Sequence, residues 1–141
     1  MTTATKPRSV KPDTTPQPQP ERRGSEVSDR LLAFTSYCLG IAGSLPDDRA
    51  GAHLADALLN SSVAAYFRHG EAEGSPSAKE FADKFRACLI ELRKSRRALQ
   101  LSEKAGIPCD GQAVRSALEE GDIPIGVPIL FGMFVYAEWR R

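Results

Sequence analysis

The feature that most restricts how this chain can fold is the stretch from Ser77 to Ala105, which contains neither Gly nor Pro. Without those two interior breakers, the stretch predicts one long helix. On a wheel of ~100° per residue, Phe81, Phe85, Cys88, Leu89, Leu92 and Leu99 gather on one side. That stripe predicts a core-facing surface. Ser75-Pro76 offers a cap residue followed by a first-position proline, and Gly106 offers a stop. A second apolar line, Ala87, Ile90, Ala98 and Leu101, runs elsewhere on the same helix. A bundle helix in a monomer needs one buried face, so these four are candidate oligomer-interface residues.

Similar signals place helices on either side. Ser28-Asp29 reads as a helix start, and Leu31, Phe34, Cys38, Leu39, Ile41, Ala42 and Leu45 follow at helical spacing until Pro46. Asp47-Asp48 restarts a helix with carboxylates at its positive end, and Leu54, Leu58, Leu59, Val63, Ala65 and Phe67 carry it to about Gly70. Ser61-Ser62 and Ala64-Ala65 give that helix small side chains and permit close approach of a neighbour. Asp110 can cap a fourth helix over 112–120, with Val114, Ala117 and Leu118 inward. Beyond Pro128, the run Ile129–Tyr136 is apolar almost all round, and its Phe131 and Phe134 join the candidate oligomer seam. It is too short to span a bilayer, so a buried helix end or oligomer seam is expected, with association at a membrane surface the alternative. One domain of 141 residues with short loops between long helices predicts an all-α, antiparallel up-down-up-down four-helix bundle over 25–141.

Residues 1–24 read differently. Five prolines stand among Thr, Gln and Lys with little to bury, which predicts a disordered Pro-rich tail. It has no apolar centre of the kind a secretory signal needs. The tail carries five basic and two acidic side chains, leaving fourteen basic and sixteen acidic for the bundle. A mildly acidic bundle is not built as a whole to grip a phosphate backbone, so any such binding rests on a local patch or on the tail.

Catalytic and metal chemistry find no footing. Cys38, Cys88 and Cys109 lie far apart, the pattern of free thiols in a reducing cytoplasm. His53 and His69 are sixteen positions apart, share no helical turn, and are expected at helix surfaces or ends. Neither follows a Glu by three residues, as the carboxylate di-iron bundles require. No nucleophile motif or Gly-rich phosphate loop occurs. The expectation is a non-enzyme with no catalytic residues, no metal, no cofactor and no small-molecule substrate.

One charged feature does stand out. Lys79, Arg86, Arg93, Arg97 and Lys104 fall in a narrow line along the long helix, a candidate nucleic-acid-binding row. With a ~1.5 Å rise per residue, it offers one charge about every 6 to 10 Å. Phosphate backbones reward such a row by counterion release. The alternative is a solvated face with acidic counter-ions nearby.

The order and spacing of these segments resemble the 23S rRNA intervening-sequence, or four helix bundle, protein family. The resemblance lies in Leu54–Gly74, then Ser75-Pro76-Ser77-Ala78-Lys79-Glu80-Phe81, then Leu89-Ile90-Glu91-Leu92 through Leu99 to Ala105-Gly106-Ile107. It covers about residues 28–107. Tyr66 stands where the family usually carries Asn. The resemblance implies a bacterial up-down-up-down bundle, often a ring-like homopentamer. It also implies kinship to accessory proteins of diversity-generating retroelements, which bind nucleic acid and a reverse transcriptase. The reading that results is a self-assembling helical scaffold or adaptor; the alternative is an RNA- or DNA-binding accessory protein.

Overall fold

The computed structural model describes residues 20–123, which form four helices joined by short turns. They are α1 (Pro20–Ser44), α2 (Arg49–Glu73), α3 (Ala78–Lys104) and α4 (Gly111–Glu120). Successive helices run antiparallel. α2 and α3 share the largest interface, α1 packs on α2 and α4, and α4 touches α3 more narrowly. The result is an all-α, up-down-up-down four-helix bundle. Three helices are about 37 to 40 Å long and the fourth only about 15 Å, from their 25, 25, 27 and 10 residues. Residues 1–19 and 124–141, which include all but the last five residues of the proline-rich segment and the candidates Phe131 and Phe134, lie outside the described residues, while residues 20–24 of that segment are helical in α1.

Local chemistry explains most boundaries. α1 begins at Pro20, eight residues ahead of Ser28. Proline's fixed φ and missing N–H suit a first helical position, so Pro20 opens the helix and Ser28 lies inside it. Leu45 still donates to the Ile41 carbonyl, and Pro46 prevents any continuation. Asp48 caps α2, its carboxylate accepting the Gly51 N–H at 2.8 Å. α2 continues past Gly70 to Glu73, where Gly74 and Ser75 close it; the Ser75 hydroxyl donates to the Glu71 carbonyl. Ser77, not Ser75, therefore caps α3, accepting from the Glu80 N–H at 3.2 Å. Gly106, at φ 68°, takes the left-handed conformation that ends α3, and Asp110 caps α4 through the N–H groups of Gln112 and Ala113.

The core runs the length of the bundle. Leu31, Phe34, Cys38 and Ile41 enter from α1, Phe85, Cys88, Leu89, Leu92 and Leu99 from α3, and Val114 and Ala117 from α4. α2 contributes mostly small groups, Ser61, Ser62, Ala65 and Ala72 around Leu58. Those small side chains let α1 and α3 come close enough for polar contacts across the seam. The Thr35 hydroxyl donates to the Ser62 carbonyl, and the Ser95 hydroxyl meets that of Ser61 at 2.8 Å, whose own proton goes to Ala57. Buried hydroxyls satisfied in this way cost little. Not every apolar residue at helical spacing is inside: Leu39 and Phe67 point to solvent, 46% and 63% exposed.

Arg30 fastens the short helix. Its Nη2 donates to the carbonyls of Glu119 and Asp122 at 2.9 and 3.2 Å, supplying positive charge to the C-terminal end of α4. Arg96 reaches Asp122 from α3 at 3.8 Å, so the end of α4 is held from both sides.

Candidate interaction surfaces

The basic row on α3 faces outward along its whole length. Lys79, Arg86, Arg93, Arg97 and Lys104 are all exposed, as is Lys94 beside them. Only Arg86 of the five is paired, with Asp83 at 4.0 Å, while Lys94 meets Glu91 at 3.0 Å. Both pairs lie within α3 and are solvated, which makes them weak. Lys79, Arg93, Arg97 and Lys104 carry no ion pair among the described residues. Acidic side chains of the neighbouring helices, the alternative explanation of the row, do not reach it there. Over about 37 Å the α3 surface is a band of positive charge.

The second apolar line on α3 divides. Ala87 and Ala98 are half-buried, and Ala98 packs against the bundle's own core. Ile90 and Leu101 are exposed, at 51% and 56%. Eleven residues apart, they share one side of the helix with Arg97 between them, so each sits among charges.

A second uncharged surface lies on α1 and α2, where the helical pattern gave no warning of it. From Leu31 to Pro46 and again from Ala57 to Phe67 the chain contains no Asp, Glu, Lys, Arg or His. On these stretches Leu32, Leu39 and Phe67 stand exposed, at 48%, 46% and 63%. Ser36, Gly40 and Gly43 on α1 and Asn60 on α2 are exposed between them.

Beside this surface, Ser28, Tyr66, Phe67, His69 and Glu73 border an open groove of about 390 Å³. His69 is 3% exposed, against the expectation of a surface histidine. Its Nδ1 lies 2.9 Å from a carboxylate oxygen of Glu73 one turn on, and its ring meets Phe85 edge-on. Burial pushes the imidazole pKa down, and the Glu73 charge only partly opposes it. The pair is thus a neutral imidazole giving an N–H to a carboxylate at neutral pH. A hydrolytic Ser–His–carboxylate set also needs a nucleophile bonded to the imidazole and free donors for an oxyanion. Ser28 makes no hydrogen bond to His69. The chemistry that the geometry supports is satisfaction of a buried ring.

The thiols are free, Cys38 and Cys88 buried and Cys109 half-buried. Burial pushes the first two up to about 12, which leaves them protonated and inert. Among the described residues no cluster of His, Cys, Asp and Glu is arranged to hold a metal ion. No helix among them is long and apolar enough to cross a membrane. Compared with protein-family models, curated proteins and solved structures, the chain matches none.

Proposed function

We propose that this chain is a non-enzymatic helical scaffold that assembles with copies of itself and presents α3 to a partner. The observation that carries the reading is exposed apolar surface on a bundle whose core is already filled. Leu32, Leu39 and Phe67 on α1 and α2, and Ile90 and Leu101 on α3, stand outside the core and about half or more exposed. Large apolar side chains grouped on an otherwise satisfied bundle favour interaction surfaces. The segment resemblance to the four helix bundle family, with its self-assembling members, supports the same reading. Free thiols suit a cytoplasmic setting. Light scattering of the full chain should give a mass greater than one copy at micromolar concentration. A mass of one chain, unchanged on tenfold concentration, overturns the self-assembly.

The second reading is a nucleic-acid-binding accessory protein, and one observation favours it. Four of the five basic side chains along α3 have no acidic partner among the described residues, so their charge is available to phosphate. The two readings share the molecule: a scaffold can expose such a row.

A further inference from the structure

We propose that the uncharged outer face of α1 and α2 is where a second copy of this chain docks, face to face about a two-fold axis. The inference rests on the self-assembly reading and assigns it a surface, one that excludes the apolar line on α3.

The first support is the position of the exposed residues. Ser28, Leu32 and Leu39 are spaced by four and seven and share one side of α1. Ser28 also borders the groove that Phe67 lines from α2. The apolar groups therefore lie on one side of the α1–α2 pair. Between the exposed charges that bound it, Asp29 on α1 and Asp56 and Arg68 on α2, sixteen consecutive residues of α1 and its turn, and eleven of α2, carry no charge. A solvated bundle face normally alternates charged groups, and their depletion is the compositional mark of an interface core.

The second support is independent of hydrophobicity. Gly40 sits inside α1, where glycine is unfavourable relative to alanine, and Gly43 stands in its last turn. At both, the space a β-carbon would fill is empty, with nothing within 4 Å. Their conformations are ordinary, since Gly106 is the one described glycine with positive φ. Neither the backbone nor the packing of the described residues requires them. A second helix crossing close to α1 does, because only a missing side chain lets two backbones approach.

The identity of the occupant follows from charge. A partner presenting ionised side chains to this face would bury them unpaired, at high cost. The partner surface must itself be uncharged. α3 offers its basic band, and the outer side of α4 carries Arg115 and Glu119. Among the described residues these two stretches of α1 and α2 are the longest without a charge, and in a two-fold contact each patch meets its own copy. An α3-to-α3 contact would instead oppose Arg93 and Arg97 to like charges. Such an isologous contact closes at two copies.

The test compares surface variants of the full chain by light scattering and sedimentation, with circular dichroism to follow folding. Wild type should give two copies. Leu39→Glu places a charge on the face and should weaken dimerisation by about 100-fold, to a monomer at micromolar concentration. Gly43→Leu is the decisive variant: it adds apolar surface and raises helix propensity, so it stays folded, yet it should also give one copy by blocking the approach. Ile90→Glu on α3 should remain dimeric. The proposal is overturned if Leu39→Glu and Gly43→Leu keep the wild-type mass, if Ile90→Glu dissociates instead, or if wild type is a larger ring. Those results leave self-assembly standing, whereas a monomeric wild type removes both.

Discussion

Gly121 lies against the ring of Phe34, so that a β-carbon there would stand 2.8 Å from two ring atoms and 3.3 Å from the Ala117 carbonyl. Phe34 is fully buried in the centre of α1, and its ring cannot swing aside without disturbing the core. Gly121→Ala should destabilise the fold by about 1 to 3 kcal/mol, as other overpacked sites do. Gly70→Ala, where nothing lies within 4 Å, should be neutral or stabilising by up to about 1 kcal/mol. Urea melts of the two variants separate steric from helix-propensity effects. Equal stability of Gly121→Ala and wild type would disprove the close contact.

Buried His69 makes stability depend on pH. Its pKa is lowered by burial from the ordinary 6.5, so the unfolded chain takes up a proton at a pH where the folded chain does not. The contribution is fully present above about pH 6.5 and is lost as pH falls below it. Urea midpoints measured from pH 7.5 to 5.5 should decline, and His69→Gln should flatten that decline. A midpoint that rises on acidification would mean that the Glu73 charge outweighs burial.

The exposed cations of α3 predict how binding to RNA or DNA would respond to salt. Replacing Arg86, Arg93 and Arg97 with Gln leaves three exposed positions and the core untouched. Log-affinity against log-salt should become shallower by about two to three, with no change in fold or mass. Deleting residues 1–19 is the control for the basic side chains there. No salt-sensitive binding by the intact chain at low ionic strength would leave the row a solvated face.

Thiol reactivity should separate into two classes. Cys38 and Cys88 are buried with pKa values pushed up to about 12, while Cys109 is half-buried near the start of α4. Alkylation of the native protein at pH 8, read by mass spectrometry, should label Cys109 first and the others only on unfolding. Equal rates at all three would show that the core opens readily.

The long helix was legible because its apolar residues keep one period over many turns: Phe85, Cys88, Leu89, Leu92 and Leu99 all lie buried as a wheel places them. Asp48, Asp110 and Gly106 were readable for a local reason, since a cap acts within its own turn. Ser75 and Ser77 were not separable, because both are hydroxyls next to Pro76 and the choice depends on where α2 stops. α1 concealed its outer face for a different reason. It is apolar on several sides, so periodicity alone cannot say that Phe34 goes in while Leu32 and Leu39 stay out. Nor does a single helix show that Gly40 and Gly43 have no neighbour; that requires the whole bundle. His69 read as a surface residue because a polar side chain with no ligating partner within its own turn gives no sign of burial, and only Phe85 of α3 shows that the ring is covered.

The grip of Arg30 on the end of α4 joins groups 89 and 92 residues apart in the chain. Chain entropy makes such a closure late, after the α2–α3 hairpin has formed from nearer contacts. α4 has ten residues, too few to hold helical structure alone, so it acquires order only on docking. The expected folding sequence is a hairpin, then α1, then α4 as a latch that opens on its own. Native-state hydrogen exchange should find the amides of Val114–Glu120 released through a sub-global opening, while those around Leu92 exchange only when the whole bundle unfolds.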